Sequence, residues 1–197
     1  MTESARPERH PDRPLDGDAP SAIVITASDR TAEGEREDAS GAAVADLVGT
    51  LGLAVERMVI PDEQARLEAT LIAAAARHRL VVTTGGTGLT PRDVTPQATL
   101  AVIDYEIPGL AELMRAEGRR HTPMAALSRA VVGVRAGSLI VNLPGSPRAA
   151  VESLEALLPV LPHALETLAG PFDHGRARAA GRLDLPPVEP DPGATER

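Results

Sequence analysis

Leu80-Val81-Val82-Thr83-Thr84-Gly85-Gly86-Thr87-Gly88-Leu89-Thr90-Pro91-Arg92-Asp93-Val94-Thr95-Pro96 decides the architecture. Leu80 to Thr84 is a short apolar and β-branched run, which reads as a buried strand. The glycines end it, and Thr95-Pro96 places a hydroxyl before a first-turn proline, which starts a helix. The unit is therefore strand, glycine-rich loop, helix. The same alternation continues upstream. Leu67, Leu71, Ala74 and Ala75 form a helical stripe, and Leu53 to Ile60 reads as a strand. Val44, Leu47, Val48 and Leu51 repeat the stripe, and Ala22 to Ala27 is another buried-strand run. Downstream, Ala130 to Arg135 and Ser138 to Leu143 read as strands. Only Ala136-Gly137 lies between them, which predicts a hairpin. Ser146-Pro147 opens a last helix with an apolar face from Val151 to Leu168, and Pro159 and Pro162 should kink or split it.

Strand–helix alternation predicts an α/β fold with a mainly parallel sheet covered on both faces. The hairpin makes that sheet mixed. Residues 1–20 and 174–197 are rich in proline and charge and read as disordered arms. They flank a domain spanning 21–173.

The chain has 197 residues, no cysteine and a formal net charge of -8. Disulfides, thiolate metal sites and cysteine nucleophiles are excluded. All 20 basic residues are arginine, so a Walker-type lysine and a Schiff base are excluded as well. The acidic balance argues against a nucleic-acid partner, which needs phosphate neutralisation. Tyr105 and Phe172 are the only aromatics, too few for base stacking. No apolar run approaches the length of a membrane span, and residues 1–20 hold no apolar signal core. The expected location is cytoplasmic. His10, His78, His121, His163 and His174 show no metal-ligand spacing. Met114 and Met124 read as core filler.

In such sheets, ligands bind beyond the carboxyl ends of the strands. That rule selects Ser28-Asp29-Arg30, Pro61-Asp62-Glu63, Thr83 to Asp93 and Asn142 to Pro147. The glycine-rich loop is the strongest candidate. Its backbone N–H groups can cradle an anion, Thr84 and Thr87 add hydroxyls, and a helix N-terminus opens at Thr95. Asp62 lies where an N-cap belongs. Together with Asp93 it could also share one Mg2+, a hard ion that takes carboxylate, water and phosphate oxygens. Asn142 ends a buried strand and needs a polar partner. Thr122-Pro123 with Ser128-Arg129 reads as a helix cap followed by a solvated arginine, or as hydroxyls and a guanidinium for a ligand.

These strings resemble the MogA/MoaB family of molybdenum cofactor biosynthesis. The matching pieces are Ser28-Asp29-Arg30, Asp38 with Ser40-Gly41, Ile60-Pro61-Asp62-Glu63, Thr84 to Pro96, Glu106-Ile107-Pro108-Gly109, Thr122-Pro123, Leu127-Ser128-Arg129 and Asn142-Leu143-Pro144-Gly145. They run in family order from about residue 21 to 171. The resemblance implies a three-layer αβα sandwich that assembles as a homotrimer, or as a hexamer in the MoaB branch. It implies a molybdopterin adenylyltransferase that uses ATP and Mg2+, with pyrophosphate as by-product. The family's two important aspartates match Asp62 and Asp93. Gly85, Gly86 and Gly88 would hold phosphate groups. Ser28, Asp29, Arg30, Thr84, Thr87, Thr95, Ser128, Arg129, Asn142, Pro144 and Gly145 would complete the pterin and nucleotide site. The alternative within the resemblance is a MoaB-type protein that binds molybdopterin with little or no catalysis. Handover of product to the molybdenum insertase is a further implied partnership.

Overall fold

The computed structural model describes residues 21–170. The two expected arms, and residues 171–173 of the expected domain, lie outside the described residues. Six strands form one sheet in the order β2-β1-β3-β6-β5-β4. They are β1 (Ser21–Ala27), β2 (Ala54–Ile60), β3 (Leu80–Thr84), β4 (Tyr105–Glu106), β5 (Val132–Arg135) and β6 (Ser138–Leu143). β2, β1, β3 and β6 run parallel, while β5 is antiparallel to both β6 and β4. The expected mixed, mainly parallel sheet is therefore present.

The helices are α1 (Asp29–Ala32), α2 (Ala39–Gly49), α3 (Gln64–Ala75), α4 (Thr95–Val102), α5 (Pro108–His121), α6 (Pro147–Leu157) and α7 (Leu161–Ala169). A 3-10 turn covers Pro123–Leu127. The two-residue side-chain period of the central strands builds two cores. Ala22, Val24, Leu80, Val82, Leu139 and Val141 face one way and pack with residues of α2, α5, α6 and α7. Ile23, Ile25, Val81 and Ile140 face the other way and pack with α3 and α4. The result is helix layer, sheet, helix layer. A run that is apolar at every position, such as Leu80-Val81-Val82, is what a strand covered on both faces requires.

The hairpin turns at Ala136 (φ 48°) and Gly137 (φ 80°), both left-handed, which matches the twist of the strands it joins. The last apolar stripe divides into α6 and α7, with Pro159 between them and Pro162 in the first turn of α7. Four sequence expectations need correction. Thr95 does not cap α4: it lies inside the first turn, and Val94 precedes it. Ser146 precedes α6 but its hydroxyl makes no capping bond. Asp62 does not cap α3, whose entry residue is Glu63; the Asp62 carboxylate is turned back toward β1. Met124 is exposed rather than core filler, whereas Met114 is buried. Three α or β elements went unread: the short α1, the edge strand β4 and the amphipathic α5. A two-residue strand carries too little periodicity to register.

At the amino-terminal edge of the sheet, His78 is 3% exposed. Its Nδ1 lies 3.1 Å from Ser21 Oγ, and Nε2 lies 3.8 Å from Glu56 Oε2. Burial lowers its pKa, against the opposing pull of Glu56. The folded protein thus binds this proton less readily than the unfolded chain, whose histidines titrate near ~6.5. Stability associated with His78 is present above that value and is lost as pH falls through it. Tm should therefore drop between about pH 7 and pH 5, and His78→Gln should flatten that slope in a thermal-melt series.

Candidate functional site

The carboxyl ends of β1, β2, β3 and β6 meet at one rim. Gly85 follows β3 with φ +92°, and a Cβ there would run into the Ala27 carbonyl at the end of β1. Gly145, after β6, would place its own Cβ 3.2 Å from Gly85 Cα. Gly85 N–H donates to Leu143 O at 3.2 Å. Three strand ends thus close on one glycine, which leaves no room for a side chain and requires a backbone that L-residues rarely adopt.

Beside this closure, Asp29 and Asp62 exchange hydrogen bonds. Asp29 N–H donates to Asp62 Oδ2 at 3.1 Å, and Asp62 N–H donates to Asp29 Oδ1 at 3.0 Å. Arg92 from the glycine-rich loop pairs with Asp29 Oδ2. The Asp62 N–H and then the Arg92 guanidinium hold the Asp29 carboxyl below its ordinary range. Asp62 shifts the other way. Burial pushes its carboxyl up, and the charges of Asp29 and Asp93 add to the rise. Ser28 turns inward to cap α1, accepting from Thr31 N–H at 3.3 Å. Arg30 faces outward and pairs with Glu35 at 3.5 Å.

Asp93 is committed to its own loop. Its Oδ2 accepts from Thr90 N–H at 2.8 Å and from Thr90 Oγ1 at 2.6 Å. Burial raises the Asp93 carboxyl, but the Thr90 hydroxyl, the N–H groups of Thr90 and Gly88, and Arg129 outweigh it and hold it low. Arg129 clamps the same loop from the other side. Its Nε donates to Gly88 O at 2.7 Å, and Nη2 donates to Asp93 O. Of the two readings of Arg129, solvated or facing a ligand, the solvated one does not hold: the guanidinium is a strut of the loop. Thr122 does cap the 3-10 turn, accepting from Met124 N–H at 3.3 Å.

Asn142 lies beneath the rim, fully buried. Its amide donates to Thr83 Oγ1 at 3.0 Å and Thr99 Oγ1 at 2.9 Å, and its carbonyl accepts from Val131 N–H at 3.2 Å. The need for a partner, legible in the sequence, is met by protein. Thr84 is likewise fully buried and bonded to Thr26 at 3.2 Å.

Among the described residues, three buried side-chain oxygens lack a hydrogen-bond partner: Asp62 Oδ1, Thr95 Oγ1 and Ser138 Oγ. Two of the three converge. A Cβ on Gly86 would collide with Thr95 Oγ1 and lie 3.5 Å from Asp62 Oδ1. Unpaired buried oxygens are costly and rare, so a pair of them at one glycine of an anion-type loop makes this the candidate ligand position. Two cavities flank the loop. One, of about 420 Å³, is polar and reached from Ser28, Ser40, Thr84, Gly85, Gly145 and Ser146. The other, of about 270 Å³, is mainly apolar and lies among Thr87, Gly88, Met114, Leu127, Ser128 and Pro144. Thr84, Gly85, Gly145 and Ser28 thus fall on one side and Thr87, Gly88, Ser128 and Pro144 on the other. Ser40 and Ser146 were not singled out as site residues by sequence reasoning. Their signal was present, since Ser40 belongs to the Asp38…Ser40-Gly41 string.

Residues 23–163 match the family described as a probable molybdopterin binding domain. The chain belongs to that family. A curated relative from Helicobacter pylori, named molybdopterin adenylyltransferase, is 40% identical over 154 residues, covering 76% of this chain and 88% of the relative. The crystal structure of the molybdopterin biosynthesis enzyme MoaB from Thermus thermophilus shares 49% identity at a TM-score of 0.70, covering 78% of this chain and 98% of that one. The molybdopterin biosynthesis Mog protein of Mycobacterium ulcerans shares 42% identity at a TM-score of 0.72, covering 77% of this chain and all of that one (100%). The three-layer fold and the resemblance read from the sequence both agree with these relatives.

The strand-end closure leaves Gly85 intolerant of any side chain. Gly85→Ala should cost about 2–4 kcal/mol, from a left-handed backbone plus a collision with Ala27 O. Differential scanning calorimetry should register a Tm loss of about 5–10 °C.

Proposed function

We propose that this chain is a molybdopterin adenylyltransferase: it joins the phosphate of molybdopterin to the adenylyl group of ATP and releases pyrophosphate. The observation that carries the reading is the convergence of the unpartnered Asp62 Oδ1 and Thr95 Oγ1 on Gly86 of the glycine-rich loop. The family match and the adenylyltransferase names of relatives at about 40% identity support it.

In this reading a pterin phosphate oxygen bonds to the α-phosphorus of ATP, and the bond from that phosphorus to the bridging oxygen of pyrophosphate breaks. The attacking phosphate is already ionised, so no strong base is required. The work is positioning and charge neutralisation. Gly85 N–H is spent on Leu143 O and Gly88 N–H on the Asp93 carboxylate, which leaves the Gly86 and Thr87 N–H groups and the dipole of α4 to meet phosphate. Arg92 is exposed and oriented by Asp29, so its guanidinium can meet phosphate oxygens. Thr95 Oγ1 supplies a hydroxyl. Arg129 holds the loop rather than the ligand, and Asn142 holds the rim from below.

Mg2+ fits this donor set. The ion takes one or two carboxylates and fills its remaining positions with phosphate oxygens and water. Asp62 has a buried oxygen with no other partner. Asp93 is close enough for its charge to act on Asp62, while its Oδ2 serves Thr90. Asp62 is the stronger of the two proposed ligands. The ion would neutralise the triphosphate when bound. Among the described residues, no group of three or more His, Asp or Glu side chains is arranged as a metal cage. A nucleotide-borne Mg2+ needs none.

The second reading, a molybdopterin-binding protein of the MoaB type with little catalysis, is kept by the 49% identity to the Thermus MoaB. Under either reading we propose a cytoplasmic homotrimer or hexamer, with exposed Leu89, Met124 and Leu127 as apolar assembly surface. No described helix is long and apolar enough to cross a membrane. Transfer of product to the molybdenum insertase completes the proposal.

The test is adenylylated pterin, read by mass, from purified protein with molybdopterin, ATP and Mg2+. Product that disappears on Mg2+ removal supports the transferase, and tight pterin binding without product supports the second reading. Asp62→Asn should lower turnover by about 100-fold or more while changing pterin affinity by less than about threefold.

The same variant should move stability the opposite way. Asp62 has a folded pKa above its unfolded value, so the fold favours its protonated form, and ionisation at neutral pH works against folding. Asp62→Asn should therefore raise Tm at pH 7 by up to about 3 °C. The gain should shrink in acid, where wild-type Asp62 takes up its proton.

A further inference from the structure

The Asp38…Ser40-Gly41 string has no part in phosphate binding, yet it reaches the polar cavity through a chain of hydroxyls. Asp38 Oδ1 lies 2.9 Å from Thr26 Oγ1 and 2.8 Å from Gly41 N. Arg57 Nη2 donates to Asp38 Oδ2 at 2.9 Å. Burial pushes the Asp38 carboxyl up, but Arg57, the Gly41 N–H and the Thr26 hydroxyl outweigh it and keep it ionised. An ionised carboxylate can only accept. Thr26 must therefore spend its single proton on Asp38. Thr84 Oγ1 lies 3.2 Å from Thr26 Oγ1 and donates to it. Ser40 Oγ lies 3.3 Å from Thr84 Oγ1, whose proton is already spent, so Ser40 is the donor of that pair. Every proton in the relay thus points away from the cavity, toward Asp38. Ser40 is 8% exposed and lines the cavity with Thr26 and Thr84.

We propose that Ser40 Oγ is a fixed hydrogen-bond acceptor that selects a ring amino group of the ligand, with Asp38, Thr26 and Thr84 as positioning residues that set its polarity. This rests on the reading of the ligands as a pterin and an adenine nucleotide. Both carry an exocyclic amino group, and the cavity of about 420 Å³ takes a bicyclic ring. A carbonyl in the place of that amino group would set acceptor against acceptor. A phosphate oxygen would do the same, so phosphate belongs on the Gly86 side of the loop.

The test titrates wild type, Thr26→Val and Ser40→Ala with two matched pairs of probes by calorimetry. The first pair is ATP and ITP, which exchanges the purine 6-amino group for oxo. The second is pterin and lumazine, which exchanges the pterin 2-amino group for oxo. Wild type should prefer the amino member of one pair by about tenfold; whichever pair responds names the ring seated at Ser40. In Thr26→Val the Thr84 proton loses its acceptor and turns to Ser40, whose own proton then faces the cavity. The preference should fall to within about twofold, with the oxo member gaining affinity. Ser40→Ala should lose the preference without that gain. A hydroxyl with a purely structural role would leave the amino-to-oxo ratio unmoved. Equal affinity within both pairs for a wild type that binds them overturns the inference alone. An unchanged preference in Thr26→Val, with a native circular dichroism spectrum, overturns it too. Failure of wild type to bind any of the four probes overturns the inference together with the ligand reading beneath it.

Discussion

Three strand ends close on Gly85, and the site is a consequence of that closure. The Ala27 carbonyl, the Leu143 carbonyl and Gly145 crowd the same backbone unit. Parallel strands bring their carboxyl ends to one rim, where each chain must leave the sheet within a few residues. Only a residue without Cβ lets β1, β3 and β6 end this close together. Once they do, the loops that follow have little freedom. Asp29 after β1 meets Asp62 after β2, and Arg92 from the loop after β3 ties into Asp29.

The polar groups at the rim divide by whether they are satisfied. Asn142, Thr83 and Thr99 form a closed network below the surface, where partial satisfaction would be costly, while the Thr26–Thr84 pair continues to Ser40 at the polar cavity. Arg129 and the Asp93 side chain brace the glycine-rich loop. Asp62 Oδ1 and Thr95 Oγ1 remain buried without protein partners. The raised Asp62 pKa follows from the same burial. A carboxylate kept in a place that disfavours its charge is a cost the fold itself does not require, and such costs concentrate at functional sites.

Legibility followed local physics. Leu80 to Thr84 is apolar or β-branched at every position, so the strand and its double burial could be read directly. Ala136-Gly137 held the hairpin because two residues between strands permit few turns. The capping roles assigned to Thr95, Ser146 and Asp62 did not survive. A cap depends on where the first helical residue falls, and for Thr95 and Asp62 that boundary lies one residue from its expected place. Ser146 does sit at the N-cap of α6 but makes no side-chain capping bond. Asp62 in particular was drawn from its helix by the Asp29 N–H, a partner 33 positions away in the chain.

The sequence by itself determined the strand–helix alternation, the mixed sheet, the family and the loops from which a site had to be built. Those properties reside in periodicity and in short strings, where neighbours along the chain set the outcome. The tertiary structure decided which of the chosen residues face a ligand and which only hold the rim. Asp62 and Asp93 look alike in sequence, yet one carries a free oxygen and the other serves Thr90. The same structure brought Ser40 into the cavity and fixed the direction of its proton. A hydroxyl's polarity is set by the chain of partners behind it, and those partners come from β1, β3 and the start of α2, which no local reading joins.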